Sequence, residues 1–210
     1  MNKPVFKDQT AFLANEVNKR QFVAFLMLSL QSAGYMVEQA NDDADTAIVS
    51  SALDVAKKQP VTVVANDTDI LVLLIHHFSS DLHEVYFQSE VSQRACWRIT
   101  VVSVRDVCDN LGVTRTKMVL CVHALSGCDS TSALFGLGKK TVWNRLSSSA
   151  DALSNMNILG SINATKEEVK CAGLKLLGLL YGGRTDVNLN HLPFDSHQYT
   201  RCSSRTFTAN

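Results

Sequence analysis

The chain has 210 residues, 46% of them hydrophobic and 19% charged, the composition of an ordinary globular protein long enough to bury a real core. Twenty Lys and Arg balance twenty Asp and Glu, so net charge points neither to nucleic acid nor to a membrane surface, and any basic footprint has to be local.

The start "MNKPVFKDQT" lacks the charged-then-apolar layout of a signal peptide. The longest apolar runs, such as "FVAFLMLSL", fall far short of the roughly 18 residues of a membrane span. Six Cys without a dense framework suit reduced thiols. These features predict an intracellular protein, in nucleus or cytoplasm, with no membrane partner.

In chain order, Phe22, Phe25, Leu26, Leu30 and Ala33 recur near a 3.6-residue period and predict a helix over 12–33 that ends at Gly34. "YMVEQA" (35–40) predicts a short strand. "DDADTAIVSSALDVAKK" (42–58) predicts a helix, with acids in its first turn and lysines in its last. Pro60 stops it, and "VTVVA" (61–65) predicts a buried parallel strand. "ILVLLIHHF" fits strand or helix and is assigned a short helix, while "EVYFQ" (84–88) and "WRITVV" (97–102) predict strands. Helices are predicted at 103–111, 115–126 and 165–181, around the Gly-punctuated "SGCDSTSALFGLGKKTVWNRL". The polar tail, 183–210, is predicted to be disordered. Strand–helix alternation predicts an α/β fold with a parallel sheet. No internal repeat is visible.

Asp67 and Asp69 stand two apart where a predicted buried strand ends. Extended backbone puts i and i+2 on one face, so both carboxylates can point the same way, and open α/β sheets bind ligands beyond such strand ends. Two like charges that close favour a divalent cation; the alternative is a helix cap beside a solvated acid. Asp43 and Asp45 follow the strand predicted at 35–40 and fall in a first helical turn, where the alternative is plain capping. Asp129 lies in a Gly-flanked turn. Gly136-Leu137-Gly138-Lys139 opens a helix, with Lys139 and Lys140 adding charge, which suits a phosphate backbone or a plain helix–turn–helix.

Other side chains carry weaker signals. Cys121, His123 and Cys128 suggest zinc, but Cys121-x-His123 on a helix splays the two side chains apart. His76 and His77 end an apolar helix as edge or core histidines. Trp97 and Trp143 read as packing residues, with a nucleic-acid contact as the alternative for Trp143.

Together these residues resemble the flap-endonuclease branch of the PIN-like 5′-nuclease superfamily, over about residues 20–150. "AGYMVEQANDDADTAI" is similar to that family's Gly-strand-Ala-x-x-acid-Ala-acid segment, and "VVANDTDIL" to its strand with Asp-x-Asp. "ALSGCDSTSALFGLGKKTV" is similar to the segment where Gly-x-Asp supplies a further acid and a Gly-x-Gly-Lys turn grips duplex DNA. The resemblance implies a PIN-like parallel sheet flanked by helices over 1–150, with a C-terminal helix–hairpin–helix at about 115–146 and a helical extension at 151–182. It implies catalytic metal-site acids at Asp43, Asp45, Asp67, Asp69 and Asp129. They would hold Mg²⁺ or Mn²⁺, as two ions about 4 Å apart that activate a water and stabilise the leaving oxygen. It also implies nucleic-acid binding, to DNA above all, by Gly136, Gly138, Lys139 and Lys140.

The family's pattern begins with a strand and an Asp near its own N-terminus, with another Asp before a helical arch. Asp8 and Glu16 do not match those places, so five acids are mapped and two are unassigned. The expectation is an N-terminally incomplete, structure-selective nuclease that cleaves weakly or not at all. One alternative is a PIN-like nucleic-acid-binding module without catalysis. Another is a haloacid-dehalogenase-like phosphatase with Asp67 as nucleophile and Asp69 as acid; no later Lys and acidic pair fits it as well as the Gly-rich hairpin does.

Overall fold

The computed structural model describes residues 8–40, 43–93 and 96–181. The tail expected to be disordered, 183–210, lies outside the described residues. The chain divides into two compact units between Ala47 and Ile48. Among the described residues the secondary structure is mixed α/β, with eight helices and one three-stranded sheet. No helix among them is long and apolar enough to cross a membrane.

In the first unit, the single helix expected over 12–33 is two, α1 (Gln9–Ala14) and α2 (Glu16–Ser32). Asn15 divides them: its backbone is extended, and its side chain accepts from the Val17 and Asn18 N–H groups, which makes it the N-cap of α2. Gly34, at φ 87°, follows the end of α2 as expected. The strand expected at 35–40 does not form; these residues make no ladder, and Tyr35 and Met36 are exposed. A strand is defined by its partner, and apolar alternation alone does not provide one.

α3 (Ala44–Ala56) runs from the first unit into the second, where Val49, Ala52 and Ala56 pack into the core at helical spacing. The second unit continues with β1 (Val61–Val64), α4 (Thr68–His77), β2 (Val85–Gln93) and β3 (Cys96–Ser103). β1 pairs parallel with β2, from Val61↔Val85 to Val64↔Gln88. β2 pairs antiparallel with β3, with Phe87 opposite Val102. The sheet is therefore mixed, which corrects the expected parallel sheet. The link from Gln93 to Cys96 is far too short for the crossover that a parallel return needs.

One sheet face presents Val63, Val85 and Phe87 to Ile70, Leu74 and Ile75 of α4, while Val64, Ile99 and Val101 on the other face are exposed. The β1–β2 crossover is pinned by Arg105. Its guanidinium donates to the Glu84 carboxylate and to the Leu82 and Ser80 carbonyls, and lies 5.1 Å over the Phe78 ring.

The two helices expected at 103–111 and 115–126 form, as the stretch α5 (Val104–Ser126) broken by a kink at Gly112, whose φ of 72° and ψ of 161° are not helical. Beyond the kink a second core forms with α6 (Lys139–Ser147), α7 (Ala150–Leu159) and α8 (Lys166–Leu180). Val142, Leu146, Leu176 and Leu180 are fully buried there, each contributing about 1.5–3 kcal/mol of apolar burial. Leu137 plugs the same core, and it anchors the Gly136–Gly138 turn that leads into α6.

Candidate functional site at the end of β1

β1 runs out at Val64, and the chain turns through Asn66 and Asp67 into α4. Asn66 Oδ1 accepts from the Glu90 N–H at 2.8 Å, tying this turn to β2. Asp67 is the N-cap of α4: its backbone is extended and its Oδ1 accepts from Asp69 N–H at 2.9 Å. Asp69 falls in the first helical turn, where a carboxylate also suits the helix dipole. So the two carboxylates at the strand end have separate tasks.

Asp69 reaches across to α5. Its Oδ1 stands 2.9 Å from His123 Nε2 in the last turn of that helix, and the two side chains are 24% and 10% exposed. On the other side of the ring, Lys139 Nζ lies 3.4 Å from His123 Nδ1. A carboxylate at Nε2 and an ammonium at Nδ1 together assign the neutral ring its proton on Nε2. Asp69, His123 and Lys139 thus form a relay from the end of β1 to the start of α6.

After α5 the chain reverses at Gly127. Its φ is 97°, and a Cβ there would come within 2.7 Å of the Ala133 Cα, so only glycine fits. Cys128 and Thr131 then exchange backbone hydrogen bonds, at 3.1 Å in both directions, leaving Asp129 and Ser130 exposed at the tip. Cys128 Sγ is 3.3 Å from Ser130 Oγ and 3.2 Å from Thr131 Oγ1. Ser130 first, then Thr131, hold the thiol below the ordinary cysteine range. Thr131 Oγ1 also donates to the Ala124 carbonyl, at 2.7 Å, which ties the turn to the last turn of α5. Cys121 behaves oppositely: burial pushes its thiol up to about 11.

Between α4, α5 and α6 lies an open groove of about 280 Å³, floored by Val72 and Val122 and edged by His123, Lys139, Lys140 and Trp143. Gly138 caps α6 with extended backbone and no side-chain hydrogen bond, leaving the helix start open. Gly136, at φ 71°, makes the turn just before it.

Of the residues expected at the site, Asp69, Lys139 and Lys140 are gathered around His123 and this groove, and Asp67 caps the helix beside them. Asp129 stays at an exposed tip. Asp43 and Asp45 belong to the first unit, at the start of α3. Asp43 accepts from Thr46 through both hydroxyl and N–H, the latter at 3.0 Å, and the hydroxyl is the larger reason its carboxyl sits below the usual range. Among the described residues, the one group of three metal-ligand side chains within 4.8 Å of one another is Asp69, His123 and Cys128. His123 was missed as a partner of Asp69, since no local spacing links residues 54 positions apart. The available signal was a histidine near a helix end followed by a Gly-Cys turn. No hydrogen bond joins Cys128 to His123 among the described residues, so the pair lacks the contact of an activated nucleophile.

No family model, no curated protein and no solved structure matches the chain.

Proposed function

We propose that the chain is a flap-endonuclease-like protein of the PIN-like superfamily that binds the phosphate backbone of nucleic acid, with α5 and α6 as its helix–hairpin–helix. The observation that carries this reading is the relay from Asp69 through His123 to Lys139, which joins the two motifs of the resemblance at one groove. The open α6 start offers backbone N–H groups and the positive end of a helix dipole to a phosphate. Lys139 and Lys140 add charge, and Trp143 supplies a flat face for a sugar or base. Nothing in this set reads base edges, so recognition is of backbone and shape.

The three side chains gathered here do not fit Mg²⁺, which prefers an all-oxygen shell with several waters over a carboxylate, an imidazole and a thiol. Asp67 is a helix cap and Asp69 a partner of His123, so Mg²⁺-dependent cleavage is weak or absent in this reading. A Mg²⁺-dependent nuclease is the second reading. It is favoured by one feature: Asp67 and Asp69 each use only Oδ1 among the described residues, leaving Oδ2 open.

The test pairs binding with cleavage. Fluorescent duplex and flap DNA are titrated at several salt concentrations against wild type and Lys139→Glu. Affinity should fall with salt for any sequence, and the variant should bind more weakly, with a salt slope smaller by about 1. Unchanged binding by Lys139→Glu would sink the proposal. Incubation in Mg²⁺ or Mn²⁺ beside an Asp67→Ala/Asp69→Ala control decides between the readings, since robust, control-sensitive cleavage favours the second.

A further inference from the structure

Asp69, His123 and Cys128 come from three separate places: the first turn of α4, the last turn of α5 and the reversal after Gly127. Even so, a carboxylate oxygen, an imidazole nitrogen and a thiol sulfur lie within 4.8 Å of one another. The geometry points to a site for a divalent transition ion of the Zn²⁺ class, held by Asp69 Oδ1, His123 Nε2 and Cys128 Sγ with water in a fourth position. This inference stands apart from the nucleic-acid reading and needs no nucleic acid to be tested.

The chemistry of the donors selects the ion. Thiolate and imidazole favour Zn²⁺, Co²⁺ and their neighbours over Mg²⁺ and Ca²⁺. Tetrahedral zinc has bonds of about 2.0–2.3 Å to oxygen, nitrogen and sulfur, which puts ligand atoms roughly 3–4 Å apart. The three ligand atoms, within 4.8 Å of one another, have to draw together to reach that spacing. The Cys128–Thr131 turn holds the sulfur beside the end of α5, where Thr131 Oγ1 also donates to the Ala124 carbonyl. Three protein ligands and one open position form the pattern of reactive zinc sites rather than closed structural ones.

Charge and protons balance. The Cys128 thiol releases its proton to solvent, and thiolate and carboxylate together offset the two positive charges of the ion. The imidazole stays neutral, its proton passing from Nε2 to Nδ1 through solvent while the ion takes the place of that proton between Nε2 and Oδ1. Nδ1 is then a donor facing the Lys139 ammonium, itself a donor. Lys139 therefore leaves His123 when the ion binds.

The full chain, reduced and stripped of metal by chelator, is titrated with Co²⁺ and then with Zn²⁺. The expected result is one Co²⁺ per chain, with tetrahedral ligand-field bands and a thiolate-to-cobalt charge-transfer band. Equimolar Zn²⁺ erases both, and millimolar Mg²⁺ erases neither. Cys128→Ser and His123→Ala should each weaken Zn²⁺ binding about tenfold or more, since even outer partners of metal ligands matter that much. Cys121→Ser should leave it unchanged. If a variant fails to fold, the wild-type chain decides by alkylation: Zn²⁺ should shield Cys128 from iodoacetamide and leave exposed Cys171 reactive, as read by peptide mass mapping. Absence of the charge-transfer band, its survival in Cys128→Ser, or equal alkylation of Cys128 with and without Zn²⁺ overturns the site.

Discussion

His123 Nε2 lies 2.9 Å from Asp69 Oδ1, and this contact joins the start of α4 to the end of α5. α4 packs on the sheet and α5 continues into the helical core, so the pair sits where the two cores of the second unit adjoin. Each partner is satisfied by the other in a place that water reaches poorly, which makes loss of either one more costly than the contact itself is worth.

Asp69→Ala should therefore lower stability by about 1–3 kcal/mol, because the His123 Nε2–H is left without an acceptor. Asp69→Asn keeps an acceptor in place and should lose less. Urea unfolding, read as a shift in midpoint at constant m-value, separates the two. Equal losses would mean that the charge, and not the hydrogen bond, matters.

Asp67→Ala removes the N-cap of α4 and should cost about 1 kcal/mol, while Asp67→Ser, which can also cap, should cost much less. The same unfolding midpoints report it. If Ser fails to rescue, Asp67 has a role beyond capping.

Two glycines at positive φ should respond for different reasons. At Gly112 there is open space around the missing Cβ, so Gly112→Ala meets only backbone strain, about 1–3 kcal/mol. At Gly127 the same change also drives a Cβ into the Ala133 backbone, so it should cost more and displace the reversal that carries Cys128. Hydrogen exchange over residues 127–138 should rise in Gly127→Ala and stay unchanged in Gly112→Ala.

His76 makes stability depend on pH. Burial, and then the neighbouring His77, push it below its ordinary value of 6.5, and its Nδ1 is buried without a partner among the described residues. The folded state therefore prefers the neutral ring. As pH falls through 6.5 the unfolded chain takes up the proton first, so the stability that His76 contributes is present above that pH and lost below it. Denaturant midpoints between pH 8 and about pH 5 should fall on acidification, and His76→Leu should flatten that fall.

Much of the fold was legible because it is local. Gly112 separates two amphipathic stretches in the sequence and two helical segments in the structure, and the apolar run after Asp69 is the buried helix α4. Two features were not legible because they depend on partners. Residues 35–40 have strand composition without a ladder, and β3 runs antiparallel because its link to β2 is short. At the site, Asp67, Asp69 and the Gly136–Lys140 turn stood out by residue type. The splay of Cys121 from His123 was also legible: one is packed against the helical core and the other edges the groove. The partner that His123 does have, Asp69, lies far upstream, and only packing of α4 against α5 reveals it.

The mixed sheet also sets an order of assembly. β2 and β3 are nearly contiguous, so their ladder closes a minimal loop and can form within about 1–10 μs. β1 can pair with β2 only once the intervening segment, Ala65–Glu84, has folded back as α4 and its connections, a longer closure that delays contact. Docking of β1 thus falls late, and the transition state should contain the hairpin without it. Val63→Ala should then mainly speed unfolding, whereas Val102→Ala should mainly slow refolding, and stopped-flow chevrons of the two variants would expose the opposite order if β1 were the nucleus.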